Sequence, residues 1–225
     1  MGTFKKHGLV EKRAGLTPDM DLINAQALVE LSAEDVFVFR VAACDDQLDR
    51  DHERFTLKTL EGLADLYVGR PIILDHQWSA KVQTARIYEA DVQESGGVNR
   101  LVLSAYMLRN EVNAPAIQAI EGGILREVSV GCAIQHAVCS ICGTDKAVAW
   151  CEHRPGKDYD GETCVVDLDG AADAYEVSFV AVPAQPGAGV TKTYGGEDTR
   201  PQTNPNESDL QKALALLELE KNRFA

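Results

Sequence analysis

The 225-residue sequence has no apolar run long enough to cross a bilayer. Its opening, MGTFKKHGLVEKRAG, has no apolar core of the kind a secretion leader carries. A cytosolic protein that binds no membrane is the expectation. Positive charge is scarce: 22 Lys and Arg face 35 Asp and Glu, a formal net charge of −13. That excludes a broad phosphate-binding surface, and with it a general nucleic-acid binder. Aromatic residues are few, at 6% of the chain, and are not interleaved with basic ones. There is no Gly-x-Ser-x-Gly elbow, so an α/β-hydrolase is unsupported. There is no internal repeat, and the acidic loop CDDQLDRDHERF, which holds His52, lacks the spacing of an EF-hand.

What is present is a run of strand-like segments. EDVFVFRVAA at 34–43 reads as the first core strand, and PIILDH at 71–76 as a short buried one ending in Asp75 and His76. Residues 81–92 and 99–108 read as two strands joined around Glu94-Ser95-Gly96-Gly97. ILREVSVGCAIQ at 124–135 alternates like a strand and carries Ser129, with Leu125, Glu127 and Gly131 on the same face. Gly131 leaves room beside the serine for a backbone or a substrate. AYEVSFVAV at 174–182 is the last strand, on which Glu176, Ser178 and Val180 share a face.

Two helices lie between strands. One starts at Thr56, capped by Thr56 or Thr59, and stops at Gly69-Arg70-Pro71. The other is EVNAPAIQAIEGG, capped by Asn110. The fold class expected is α+β: a mostly antiparallel sheet or barrel flanked by helices. Residues 1–33 form an N-terminal arm and 34–190 the main domain. Residues 191–208 are a Gly, Pro, Asn and Thr-rich linker, and 209–225 a C-terminal helix.

Six cysteines sit at 44, 132, 139, 142, 151 and 164. Four of them fall within 139–164, a cluster and not a spread disulfide framework. Cys139-Ser-Ile-Cys142-Gly followed by Cys151-Glu-His153 is the most specific local motif. Two thiolates two residues apart can bind one tetrahedral ion, and Gly143 permits the turn that aims backbone amides at sulfur. Cys139, Cys142, Cys151 and His153 would close a structural zinc shell inside an insertion at 137–164. Cys164 and His136 compete as fourth ligand. The bland alternative is a loop with free cysteines. Cys44 and Cys132 read as small core hydrophobes.

Three motifs in order carry a resemblance. They are Asp75-His76 after a helix and a Gly-x-Pro turn; Gly122-Gly123-Ile124 leading into Val128-Ser129-Val130-Gly131; and Tyr175-Glu176-Val177-Ser178-Phe179-Val180 followed by Pro183-Ala184-Gln185-Pro186. From about residue 34 to 190 the chain resembles the tailed-phage prohead maturation proteases, a family with the herpesvirus assemblin fold. The zinc loop is similar to an insertion in a subset of them. The resemblance implies a serine endopeptidase that cuts scaffold and major capsid protein precursors, and itself, inside an assembling prohead in the host cytoplasm. It makes Ser129 the nucleophile, His76 the base and Glu176 the third member. The position after Gly131, aromatic in the family, is Cys132 here.

Read from the residues alone, the orienting carboxylate stays open between Glu176, Glu127 and Asp173. Asp75 is a poor orienter because neighbouring strand side chains diverge. The amides near Val130 and Gly131 are candidates for an oxyanion hole, with Arg126 a remote one. A homo-oligomer is also expected as a possibility. The rival function is a non-catalytic, zinc-stabilised capsid-assembly or scaffold-binding module.

Overall fold

The computed structural model describes residues 17–191. The C-terminal helix expected at 209–225, nearly all of the linker and the first part of the arm lie outside the described residues. In chain order the elements are α1 (Met20–Asn24), β1 (Val36–Asp45), β2 (Glu53–Phe55), α2 (Leu57–Tyr67), β3 (Pro71–Leu74), β4 (Ala85–Ser95) and β5 (Val98–Leu108). Then come α3 (Ala114–Glu121), β6 (Val128–Cys139), β7 (Asp158–Tyr159), β8 (Glu162–Thr163), β9 (Val166–Phe179) and β10 (Gly189–Thr191).

The fold is α+β, with one mixed sheet in the order β10-β1-β5-β4-β3-β9-β2, and β6 also pairing with β9. Most ladders are antiparallel, but β2 and β3 both run parallel to β9. The β4–β5 hairpin turns on Gly96 and Gly97 alone, both at positive φ, the conformation a two-residue hairpin turn demands. Residues 81–84, expected as strand, hold the end of a 3-10 turn at Ala80–Val82 instead.

The barrel anticipated as one option does not close. Between the two sheet ends there is one isolated bridge, Glu127 with Gly189, reinforced by the Val190 N–H donating to the Arg126 carbonyl at 2.7 Å. The physical reason is the shortness of β10, three residues that leave no room for a ladder with β6. Ahead of β10 the chain meets β1 through a side chain and not as a strand: Gln185 accepts from the Asp45 amide at 2.6 Å and donates to the Asp45 carbonyl at 2.9 Å.

Helix α2 supplies the core's second layer. Thr56 caps it, its hydroxyl accepting from the Thr59 amide at 3.2 Å. Thr59 faces inward instead, donating to the Leu168 carbonyl and accepting from the Gly170 amide. Leu60, Leu63 and Tyr67 follow at helical spacing and are fully buried. Each such apolar side chain contributes roughly 1.5–3 kcal/mol by leaving water. Part of the segment assigned to the arm is also built in: Ile23 of α1 is fully buried against Val36 and Tyr88.

Strands β6 and β9 form the longest feature of the fold, an antiparallel pair running from Val128↔Phe179 to Cys139↔Val166. The two ends of this ribbon carry the two clusters of chemical interest.

Candidate functional site

At the base of the ribbon, Ser129 lies opposite Ser178, and Gly131 opposite Glu176. Directly opposed residues project to the same face, so Ser129, Ser178 and Glu176 share one side of the sheet. The other side carries Val128, Val177 and Phe179, all in the core. Between Gly131 and Cys132 the register shifts, leaving Tyr175 as an extra residue on β9. Such a bulge re-aims the side chains beside it.

Glu176 is buried, its side chain only 4% exposed. Its two oxygens are both used. Oε1 lies 2.7 Å from His76 Nδ1, and Oε2 accepts the Ser178 hydroxyl at 2.6 Å. A carboxylate in that setting without partners would carry a desolvation cost of several kcal/mol. Gly131 makes the room for it: a Cβ built there would stand 2.3 Å from Glu176 Oε1. The space beside the serine is therefore filled by the carboxylate.

His76 does not sit on a strand. β3 ends at Leu74, and Asp75 and His76 both adopt φ +52°. Two adjacent non-glycine residues in the left-handed region are costly, at about 1–3 kcal/mol each, and need anchoring. The anchors are the Asp75 N–H to the Phe179 carbonyl and the His76 N–H to Ser178 Oγ, both 3.0 Å. Ser178 thus fixes both the backbone of His76 and the carboxylate that meets its ring. The His76 side chain remains 42% exposed. Trp78, also exposed, packs against Tyr175 beside it at a ring separation of 5.5 Å.

The structure unites His76 and Glu176 directly and sets Ser129 on the neighbouring strand, on the same face. No hydrogen bond joins Ser129 to His76 among the described residues. Of the rival carboxylates, Asp173 is held by Arg70 at 3.1 Å. Glu127 contributes its backbone, its carbonyl accepting from the Val180 amide, and among the described residues the imidazole of His76 hydrogen-bonds to Glu176 and not to Asp75. Reading the sequence missed the part played by Ser178. The signal was its spacing of two from Glu176 in a strand. Cys132 lies against the Tyr67 hydroxyl, and burial, with the charge of Glu176 adding, pushes its thiol up to about 11.

At the tip of the ribbon, Cys139, Cys142, Cys151 and His153 bring their ligand atoms within 4.8 Å of one another. A tetrahedral ion with Zn–S near 2.3 Å and Zn–N near 2.0 Å needs ligands roughly 3.5–3.8 Å apart, so a small contraction completes the shell. His153 Nδ1 is buried and has no hydrogen-bond partner, as a nitrogen reserved for a metal would be. Tyr159 sets the imidazole by an edge-on contact at 4.6 Å, and Lys146 donates to the His153 carbonyl at 2.6 Å. Gly143, at φ +71°, returns its N–H to the Cys139 carbonyl at 2.8 Å. Burial raises the Cys139 thiol, but the amides of Cys142 and Ile141 outweigh it and bring it down to about 7. Thr144 lowers Cys142 in the same way, through its hydroxyl and then its amide.

The two competing ligands are placed differently. His136 is engaged by Asp145 at 2.8 Å, which holds that carboxyl below its usual value. Cys164 is buried with its sulfur 3.8 Å from that of Cys139, against the cluster but outside the mutually close four. The residues fit a zinc ion, which would tie the insertion to β6 without presenting an open position.

Comparisons with models of known protein families, with curated proteins and with solved structures find no match to this chain.

Proposed function

We propose that the protein is a serine endopeptidase of the prohead-protease type, with Ser129 as nucleophile, His76 as base and Glu176 as its orienting partner. The observation that carries this reading is the 2.7 Å contact between His76 Nδ1 and the buried Glu176, set on the face that Ser129 shares. Glu176 would hold the imidazole with Nδ1 protonated, leaving Nε2 to take the serine proton as Oγ attacks a peptide carbonyl. The developing imidazolium would be stabilised by the same carboxylate. The amides that follow Ser129, at Val130 and Gly131, are the nearest candidates for the oxyanion. The zinc would brace the far end of the ribbon and take no part in hydrolysis. Scaffold and major capsid precursors, and a place inside an assembling prohead, belong to this reading through the family resemblance.

A fluorophosphonate probe tests it. Labelling of native protein at Ser129, lost in Ser129→Ala and in His76→Ala, is the expected result. Native protein that stays unlabelled and leaves capsid precursors intact overturns it. A second reading, a zinc-stabilised assembly module, draws support from the tip, where Val148 and Trp150 are 81% and 86% exposed. It predicts precursor binding without cleavage.

A further inference from the structure

Among the described residues, strand β6 has β9 on one side and only two isolated bridges on the other. Its free edge is closed at one end by the Glu127↔Gly189 bridge and at the other by the zinc insertion, through the Val138↔Asp145 bridge. From Ser129 to His136 that edge has no strand partner among the described residues. Unpaired strand edges are templates for an added strand. This one begins at the candidate nucleophile.

Beside the same stretch lies a cavity of about 280 Å³, met by Val130, Cys132 and Ile134 of β6 and also by Ser129. That is below the roughly 300–1,000 Å³ of a small-molecule site and suits a single side chain. Phe55, Val130 and Ile134 are among its apolar walls, and Asp49, Asp51 and Glu53 also line it. No cation pairs with those carboxylates among the described residues. Arg50 donates to the Pro183 carbonyl and Arg54 pairs with Asp167. Burial, and then the charges of Asp49 and Asp51, push the Glu53 carboxyl up, as expected where negative charge is uncompensated.

We infer that β6 accepts an extended peptide along its free edge from Ser129 to His136, and that the cavity behind it receives a lysine or arginine side chain of that peptide. Side chains of an added strand alternate between the two faces. One enters the cavity, with its apolar stem along Phe55, Val130 and Ile134 and its cationic head among the three carboxylates. Its neighbours in the peptide then lie on the face of Ser129 and His76. This places a basic residue close to the bond to be cut, so the inference names a substrate class for the proposed endopeptidase and rests on that reading for its catalytic meaning. The binding itself does not depend on catalysis.

The experiment uses full-length Ser129→Ala protein and a fluorescent eight-residue peptide of alternating valine and threonine with one central lysine. Analogues carry norleucine or glutamate at that position, or N-methyl groups on alternate amides. The lysine peptide is expected to bind on the order of tenfold more tightly than the norleucine one, and the glutamate one more weakly still. N-methylation on the edge-facing register should abolish binding. Glu53→Gln with Asp51→Asn should remove the lysine preference and leave norleucine binding unchanged. Equal affinity for lysine and norleucine, binding indifferent to N-methylation, or no binding overturns the inference. On native protein, cleavage with no basic preference sinks the inference and leaves the endopeptidase standing. Lysine-selective binding with no fluorophosphonate labelling of Ser129 leaves the peptide site standing and sinks the endopeptidase.

Discussion

The two ends of the β6–β9 ribbon are built by opposite means. At the tip, all four ligand residues come from fifteen consecutive positions, 139–153. At the base, Ser129, His76 and Glu176 come from three separate parts of the chain, and Glu176 and His76 are 100 residues apart. The tip has few apolar residues of its own, and an ion would supply its ordering energy, about 10–16 kcal/mol of apparent binding in zinc-dependent peptides. The base is ordered by the core beneath it: Val128, Val177 and Phe179 pack on one face and so hold Ser129, Ser178 and Glu176 on the other. A metal site can be specified by local spacing. A buried acid and a histidine need the whole sheet to meet, and so does a serine to reach their face.

The contrast predicts that damage at one end will differ in kind from damage at the other. Ser129→Ala and His76→Ala should each remove precursor cleavage by at least about 10³-fold while the melting temperature barely moves. Cleavage assays beside thermal melts read this, and full activity in either variant would discard that residue. Glu176→Gln should keep nucleophile and base in place but weaken the grip on the imidazole, lowering kcat by roughly 10²–10⁴-fold with KM little changed.

Gly131→Ala joins the two effects at the base. Its new methyl would stand 2.3 Å from Glu176 Oε1, so the carboxylate must leave its position. Activity should fall nearly as far as in Glu176→Gln, with a stability loss of about 1–3 kcal/mol from overpacking. A denaturant titration with kinetics on the same sample checks it, and unaltered kinetics would show that the carboxylate does not orient the base.

At the tip the first readout is stability. Chelation, or Cys142→Ser, should release one zinc per chain and lower the melting temperature, with cleavage reduced only as far as the ribbon loosens. Elemental analysis beside activity is the measurement. Activity that tracks the identity of a replacement metal would contradict a purely structural ion. The pH dependence has a definite sign. The folded Cys139 thiol is lowered from 9.0 to about 7, so the stabilisation of its thiolate is complete above pH 9 and is lost as pH falls through 7. Zinc affinity measured by chelator competition should therefore weaken most steeply below pH 7.

The smallest effect is expected for Cys164→Ser. Cys164 touches the Cys139 sulfur at 3.8 Å but stands outside the close group, so the metal content should stay at one ion with a stability cost of about 1 kcal/mol. Loss of the ion in this variant, with retention in His153→Ala, would exchange the fourth ligand.

By itself the sequence was enough for the features whose causes are local. The Cys139-x-x-Cys142 and Cys151-x-His153 spacing marked the metal cluster. A threonine, Thr56 or Thr59, before an apolar helical stripe marked α2, and Glu94-Ser95-Gly96-Gly97 marked the β4–β5 turn, which the structure narrows to the two glycines. Period-two alternation located β6 and β9, although both extend toward the tip beyond the expected boundaries, because pairing with each other holds polar residues such as His136 and Asp169 in the ladder. Only the tertiary structure decided the rest. The β6–β9 register that sets Glu176 opposite Gly131 brings it to His76, the left-handed turn at Asp75-His76 is held by Ser178 and Phe179, and Gln185 meets the end of β1 with its side chain where a longer β10 would have paired. Each of these depends on contacts between residues more than forty apart in the chain, and most of them on residues a hundred or more apart. A local pattern carries no information about such contacts, since a shift of one residue in register would send the same side chains to the opposite face.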